Sequence, residues 1–397
     1  MSKSSNNNWL VLGVIVAGLL VTAALGTYKI FSVNGKRLHT DLQKIPAVLE
    51  SPPAARWTGA VKKSRLIARQ GIAQQNLPGL SLAVGVGGQI VWAEGFGWAD
   101  LESREPVDPN SQFRIGHVSV SLTSAAVGRL VEQGQLHFDS EIQEYVPEYP
   151  KKQWPVTVRQ LMGHTAGVIH YRDTEWGDKP STHCDRASDG VPAFANDPLL
   201  FEPETKYSYS TYGWVLVSAA VETAAREPFF EYMRREIFEP MGMTHTRADA
   251  TKESIPGRVT SYFRGNFDNI LTTGVDYSCF SGGGAVLSTP SDLVRFGMAI
   301  TGGKFLQPAT VRRLQTRQTL VAGGETDYGL GWMLDTVELG GQRTATAGHA
   351  SRTMEGASTS FLTFPDRGLV VAVSSNMSFA DMRSIALAVA EAFNAVK

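Results

Sequence analysis

Cysteine is scarce in this chain of 397 residues, which carries two, Cys184 and Cys279. Two thiols exclude a disulfide-stapled framework and make no metal motif by spacing; they read as buried or free thiols, with one bond between them left open. An excess of basic charge is missing too. Lys and Arg total 37 against 38 Asp and Glu, which excludes the electrostatic footprint of a nucleic-acid binder. There is no internal repeat and no low-complexity tract, so solenoids and compositionally driven disorder drop out. The run Gly282-Gly283-Gly284 is not followed by Lys-Ser/Thr and so is not a phosphate-cradling loop; it reads as a turn needing positive φ. Metal-ligand spacing is absent around His170, His183 and Cys184, which read as solvated loop residues.

One long apolar run is present. Residues 9–27 are uncharged and long enough to cross a bilayer. The expected layout is a tail (1–8), a transmembrane signal anchor (9–28), a linker or membrane-proximal helix (29–55) and one large domain (56–397). Val21-Thr22-Ala23 keeps cleavage open as an alternative. Flanking charge, Lys3 before the span and Lys29, Lys36 and Arg37 after it, does not decide the orientation, although a strict positive-inside count puts the domain in the cytoplasm.

Within the domain, residues 60–75 predict an amphipathic helix. Leu80–Val86 and Gln89–Glu94 predict a hairpin turning on Gly87-Gly88. The stretch Phe113 to Val131 organises the rest: an apolar, Gly-punctuated run breaks into a helix whose face is Leu122, Ala126 and Leu130. Thr157 caps a short helix, 158–162, and residues 171–197 read as a long polar loop or lid. Helices follow over 212–225 and 228–238. Another opens on Thr289 as cap with Pro290 at the first position and runs to Gly302-Gly303. The last third is strand-like, at 331–337, 343–347, 359–364 and 369–375, before a closing helix over 380–395. Strands at both ends of the chain with helices between them predict an α/β (α+β) fold, an antiparallel sheet flanked by terminal helices and a helical lobe.

The motifs Phe113-Arg114-Ile115-Gly116-His117, Val156 to Leu161, His164-Thr165-Ala166-Gly167, Tyr207 to Gly213 and residues 282–284 fall in an order that resembles the serine β-lactamase-like family. That family includes class C β-lactamases, D-Ala-D-Ala carboxypeptidases, penicillin-binding-protein-like enzymes, esterases and D-aminopeptidases. Asn196-Asp197-Pro198-Leu199, Tyr209-Ser210-Thr211 and Ser375-Asn376-Met377 are similar to its membrane-associated subgroup also found in mitochondria. The resemblance implies a nucleophilic Ser at 117 and a Lys at 120, one helical turn apart. The tetrad reads His117-Val118-Ser119-Val120, and no other Ser-x-x-Lys occurs in the domain.

Other positions match. The resemblance implies a proton-transfer role for Tyr209 and a substrate contact for Thr211. Its third motif falls at His349-Ala350-Ser351-Arg352, where His349 matches and Ser351 and Arg352 add bulk beside the substrate path. The backbone donors of residue 117 and of the strand near Arg352 form the implied oxyanion hole. The function implied is a membrane-anchored β-lactamase-like protein impaired in acyl transfer, acting by binding or self-assembly. The alternative is an active hydrolase on amides or esters whose relocated nucleophile is Ser119, or His117 itself. Neither reading involves a cofactor or a metal. Expected partners are the membrane, a peptide, ester or β-lactam-like ligand and further copies of the chain, as a homo-oligomer or filament; nucleic acid is not among them. The family leans towards a periplasmic or extracytoplasmic domain, against the flanking charges.

Overall fold

The computed structural model describes residues 37–171, 183–249, 255–264, 270–272, 275–352 and 356–396. The apolar run 9–27 lies outside them; among the described residues no helix is long and apolar enough to cross a membrane. The chain divides into two compact units. The smaller, residues 1–37 and 264–271, has only Arg37, Arg264, Ile270 and Leu271 described. Everything below concerns the larger, residues 38–263 and 272–397.

Its centre is a seven-stranded antiparallel sheet. In spatial order the strands are β1 (Ala47–Leu49), β3 (Gln89–Gly97), β2 (Gly79–Val86), β10 (Leu369–Ser375), β9 (Ser358–Phe364), β8 (Gln342–Arg352) and β7 (Met333–Leu339). Early and late strands meet where Val371 pairs with Val84, which pairs in turn with Trp92. The sheet draws on residues 47–49, which the sequence reading assigns to the linker. Every residue of β9 and β10 is buried, as expected of strands covered on both faces.

Two helix layers do the covering. On one face lies α5 (Pro290–Thr301), where a side chain on Gly297 would meet Val370 and Phe361 within 3 Å. On the other lie the terminal helices α1 (Thr58–Gln75) and α6 (Met382–Asn394). There Phe393 stacks on Trp92 at 5.9 Å, and Gly71 lets Ile385 approach. The local start signals act as written. Thr157 and Gln160 form a reciprocal capping box on α3 (Val158–Met162), and Thr289 caps α5 ahead of Pro290.

Helix α2 (Ser119–Glu132) sits deeper than one apolar stripe predicts. Leu122, Ala126 and Leu130 are fully buried, and so are Ser119, Ser121, Thr123 and Ser124. A helix surrounded on all sides can carry hydroxyls only if each finds a partner. Ser121 donates to the Gly331 carbonyl and Ser124 to that of Leu330. Ser119 and Thr123 both donate to the carbonyl of Gly282.

Three expectations change. The cysteines are bonded to each other, Cys184 to Cys279. Of the loop expected over 171–197, residues 172–182 lie outside the described residues; the remainder includes a short 3₁₀ helix, Ala187–Ala193, with Ala187, Gly190 and Val191 buried. The Gly282-Gly283-Gly284 run has no positive φ; Ser281 adopts it instead, at 43°. Crowding explains Gly282: a Cβ there would lie 2.2 Å from Thr123 Oγ1 and 2.6 Å from Phe229.

Candidate functional site

The site is built where three backbone segments converge. The first is the tip of α2. Strand β4 (Phe113–Arg114) pairs with β6 (Val286–Ser288), which also pairs with β5 (Arg247–Ala248), and the chain after β4 turns sharply through Gly116, whose φ of 48° suits glycine. His117 follows in a 3₁₀ turn leading into α2. The second is the start of α4 (Thr211–Ala225), capped by Ser210, whose hydroxyl accepts from Gly213 N–H. The third is the end of β8. Its pairing with β7 stops at Gly348, so from His349 to Arg352 it pairs with β9 alone among the described residues.

These segments bring His117, Thr211, Tyr209, His349 and Ser351 together. Thr211 Oγ1 lies 3.2 Å from His117 Nε2, and the His117 ring centroid lies 5.1 Å from that of Tyr209. The Tyr209 and His349 centroids are 6.3 Å apart. Residue 117 is therefore presented to the Tyr209 and His349 groups, as the motif order implies, but as an imidazole. Val120, one turn on, is fully buried in the hydrophobic core. It supplies neither a base nor a charge.

Ser119 does not take over. Its hydroxyl is fully buried and donates to the carbonyls of Gly116 at 2.7 Å and Gly282 at 2.9 Å. A nucleophile must give its proton to a base as it attacks, and carbonyl oxygens are not bases at neutral pH. The side chain of Arg352 also leaves the site, donating to the Phe379 carbonyl at 3.1 Å.

One donor of the implied oxyanion hole is taken up within the fold. The backbone N–H of His117 donates to Ser351 Oγ at 3.1 Å. Substitution has not erased this donor, yet the donor is occupied, which corrects the expectation of a backbone amide left for a bound carbonyl or carboxylate.

The electrostatics are those of a ring of neutral groups. Burial, then the neighbouring His349 and His170, pull His117 down to about 3. Burial brings His349 to about 4, partly offset by its bond to the Ala350 carbonyl. Since Nδ1 of His349 faces that carbonyl at 3.1 Å, Nδ1 carries the hydrogen and Nε2 accepts from the Tyr328 hydroxyl at 2.8 Å. His164 is held well below its ordinary value by burial and by the other imidazoles. Both its nitrogens face donors, Ser210 N–H at 3.0 Å and Trp214 Nε1 at 3.3 Å. A neutral imidazole has one N–H and one acceptor nitrogen, so the ring accepts from only one of these donors, and a second ring proton would make the other contact repulsive as well. Burial raises the phenols of Tyr209 and Tyr328 well above their ordinary value. Among the described residues no three His, Cys, Asp or Glu side chains converge to hold a metal.

Two participants have no local signal in sequence. Tyr328 reaches His349 only because of how the chain before β7 folds back. His170, read as a solvated loop residue, accepts from Thr211 N–H at 3.1 Å and stacks on Tyr171.

A sequence model of the beta-lactamase family matches residues 65–393. The chain is 27% identical over 453 residues to the serine beta-lactamase-like protein LACTB, mitochondrial, of Mus musculus, covering 87% of this chain and 82% of that protein. It is 29% identical over 263 residues to penicillin-binding protein 4* of Bacillus subtilis, covering 62% of this chain and 58% of that one. Among solved structures, the octameric penicillin-binding protein homologue from Pyrococcus abyssi superposes with a TM-score of 0.73 at 22% identity, over 82% of this chain and 76% of that one. The D-amino acid amidase from Ochrobactrum anthropi superposes with a TM-score of 0.71 at 21% identity, over 85% and 99% of the two chains.

Proposed function

The chain belongs to the beta-lactamase family, and from that premise we propose that it keeps the family's site as a binding site and does not carry out serine acyl transfer. One observation carries the reading: the position of the nucleophile holds a neutral imidazole bonded to Thr211, and the position of its Lys holds Val120 inside the core. Acylation needs a nucleophile with a base beside it, and Ser119, the nearest hydroxyl on the chain, is committed to two carbonyls. His117 as nucleophile meets a related obstacle, because the amide that would stabilise its oxyanion is bonded to Ser351.

The uncharged run 9–27 anchors the protein, with the folded domain on the extracytoplasmic side. The Cys184–Cys279 bond supports that placement, since disulfides persist in oxidising compartments. The test is covalent labelling of full-length protein with a fluorophosphonate, alongside turnover of a chromogenic β-lactam. No adduct and no turnover are expected. An adduct on the protein, lost in His117→Ala or Ser119→Ala, overturns the proposal. Sedimentation velocity of the same sample reads whether the bound partner is a second copy of the chain.

A further inference from the structure

The hydroxyl of Tyr209 is the one site group whose hydrogen bond is missing. It is buried and has no partner among the described residues, while His117, His164, Tyr328 and His349 are all bonded within the fold. A buried hydroxyl without an acceptor costs about 1–3 kcal/mol, so a ligand that supplies one recovers it. Among the described residues, no ion is bonded to the groups around that acceptor. The bonds of His117, His164, Tyr328 and His349 run to hydroxyls, amides, an indole and a carbonyl, and to no Lys, Arg, Asp or Glu. Among the described residues, the titratable groups that bear on Tyr209 and Tyr328 are other tyrosines.

Aromatic and aliphatic side chains stand at the approach to the ring, with exposed Lys206 beside them. Tyr207, 41% exposed, packs against Tyr328 with centroids 6.0 Å apart. The loop that carries Tyr207 and exposed Leu200 is laced to the His164 segment through Leu200 N–H to Gly167 and Ser208 N–H to His164. Exposed Val321 bonds through its N–H to Glu204 on the same loop. On the β8 side, exposed Phe379 receives Arg352, next to Ser351.

We propose that this site binds an uncharged carbonyl compound bearing an aromatic or alkyl group, with Tyr209 donating to the carbonyl, and that it rejects carboxylates and ammonium ions. A carboxylate would lose its water with no cation to replace it, and the amide of residue 117 that might have received it is bonded to Ser351. An ammonium ion gains from aromatic faces, but it offers the Tyr209 hydrogen no acceptor. The apolar group lies against Tyr207 and Tyr328. This inference rests on the reading of the site as one that binds without acylation.

The test uses three probes of equal size: phenylacetamide, phenylacetate and phenethylammonium. Full-length protein in nanodiscs is titrated by saturation-transfer NMR, with empty nanodiscs as the blank. Phenylacetamide should bind at least roughly tenfold more tightly than either ion, and Tyr209→Phe should weaken it roughly five-fold or more with the fold intact by circular dichroism. Equal or tighter binding of phenylacetate or phenethylammonium, binding of none of the three, or an unchanged Tyr209→Phe each overturns the inference. Fluorophosphonate labelling of the same sample separates the two ideas. An adduct defeats the non-acylating reading whichever probe binds; no adduct with no preference for phenylacetamide defeats the ligand class alone.

Discussion

Mild acid should destabilise this protein far more than its near-zero net charge suggests, and the imidazole ring sets the amount. His117 is held at about 3, His349 at about 4 and His164 well below its ordinary value. In the unfolded chain each titrates near 6.5. Between those values the unfolded state binds protons that the folded state refuses, so the stability from burying neutral rings is complete above about pH 6.5 and falls as pH drops towards the folded values. From about pH 7.5 to about pH 5, each ring with a folded pKa at or below 4 loses roughly 2 kcal/mol, nearly independently of how far below it lies, so His117 and His349 together lose roughly 4, and His164 adds in the same direction. His39, also lowered by burial, adds in the same direction. Asp100, Asp139 and Asp381, held low by hydrogen bonds, lose their contribution only below this window. Urea unfolding followed by tryptophan fluorescence at the two pH values measures the difference. His349→Gln, neutral at both, should remove roughly 2 kcal/mol of it. Equal stability at both pH values, or a pH dependence unchanged in His349→Gln, refutes the neutral-ring argument.

Ser119→Ala should cost about 1 kcal/mol in chemical denaturation, because it removes one buried side-chain bond while the Gly116 carbonyl keeps the Ser119 N–H and the Gly282 carbonyl keeps Thr123, and it should leave phenylacetamide binding intact. Replacing both cysteines with serine should lower stability by about 4–5 kcal/mol, the loop between them spanning 95 residues; alkylation of denatured, unreduced wild-type protein should find no free thiol. Converting His117 to Ser and Val120 to Lys should not by itself restore labelling by a fluorophosphonate, because Ser351 still takes the amide of residue 117. Adding Ser351→Gly should raise the labelling rate roughly a hundredfold or more. Equal rates in the double and triple variants would show that Ser351 does not block the hole.

What was legible in the chain was what local chemistry decides. Thr157, Thr289 and Pro290 mark helix starts by satisfying or lacking backbone N–H groups within one turn, and the structure starts its helices there. Gly87 and Gly88, both at positive φ, mark the hairpin. The motif order carried the fold, because landmarks spread over the chain constrain its topology jointly. What depended on tertiary register was not legible. The strand expected to end at Ala347 runs on to Arg352, since its polar tip has no alternating pattern but pairs with β9. The depth of α2 was hidden because Ser and Thr fit a solvated face as well as a buried one, and only the carbonyls of Gly282, Leu330 and Gly331 decide between them. Tyr328 and His170 entered the site through long-range folding that no spacing records.

A site that runs acyl transfer keeps its donors pre-organised and pointed at the place where charge will develop. That arrangement costs stability until substrate arrives, because buried polar groups are left without partners. Here the groups have turned towards one another: the amide of His117 to Ser351, its imidazole to Thr211, His349 to Tyr328 and the Ala350 carbonyl, and His164 to Ser210 and Trp214. Loss of the nucleophile alone would have left an open hole with an orphan amide. Ser351, standing where the third motif of the family has Gly, closes it. His117, Val120 and Ser351 make physical sense as a set under the proposed binding role, since together they present no Lys charge, no activated Ser and no open amide at residue 117. The Tyr209 hydroxyl is the exception, a buried donor that the set leaves unpaired. Tyr232 and Tyr277 also bury hydroxyls without a partner among the described residues, and what sets Tyr209 apart is its place among the imidazoles of His117, His164 and His349.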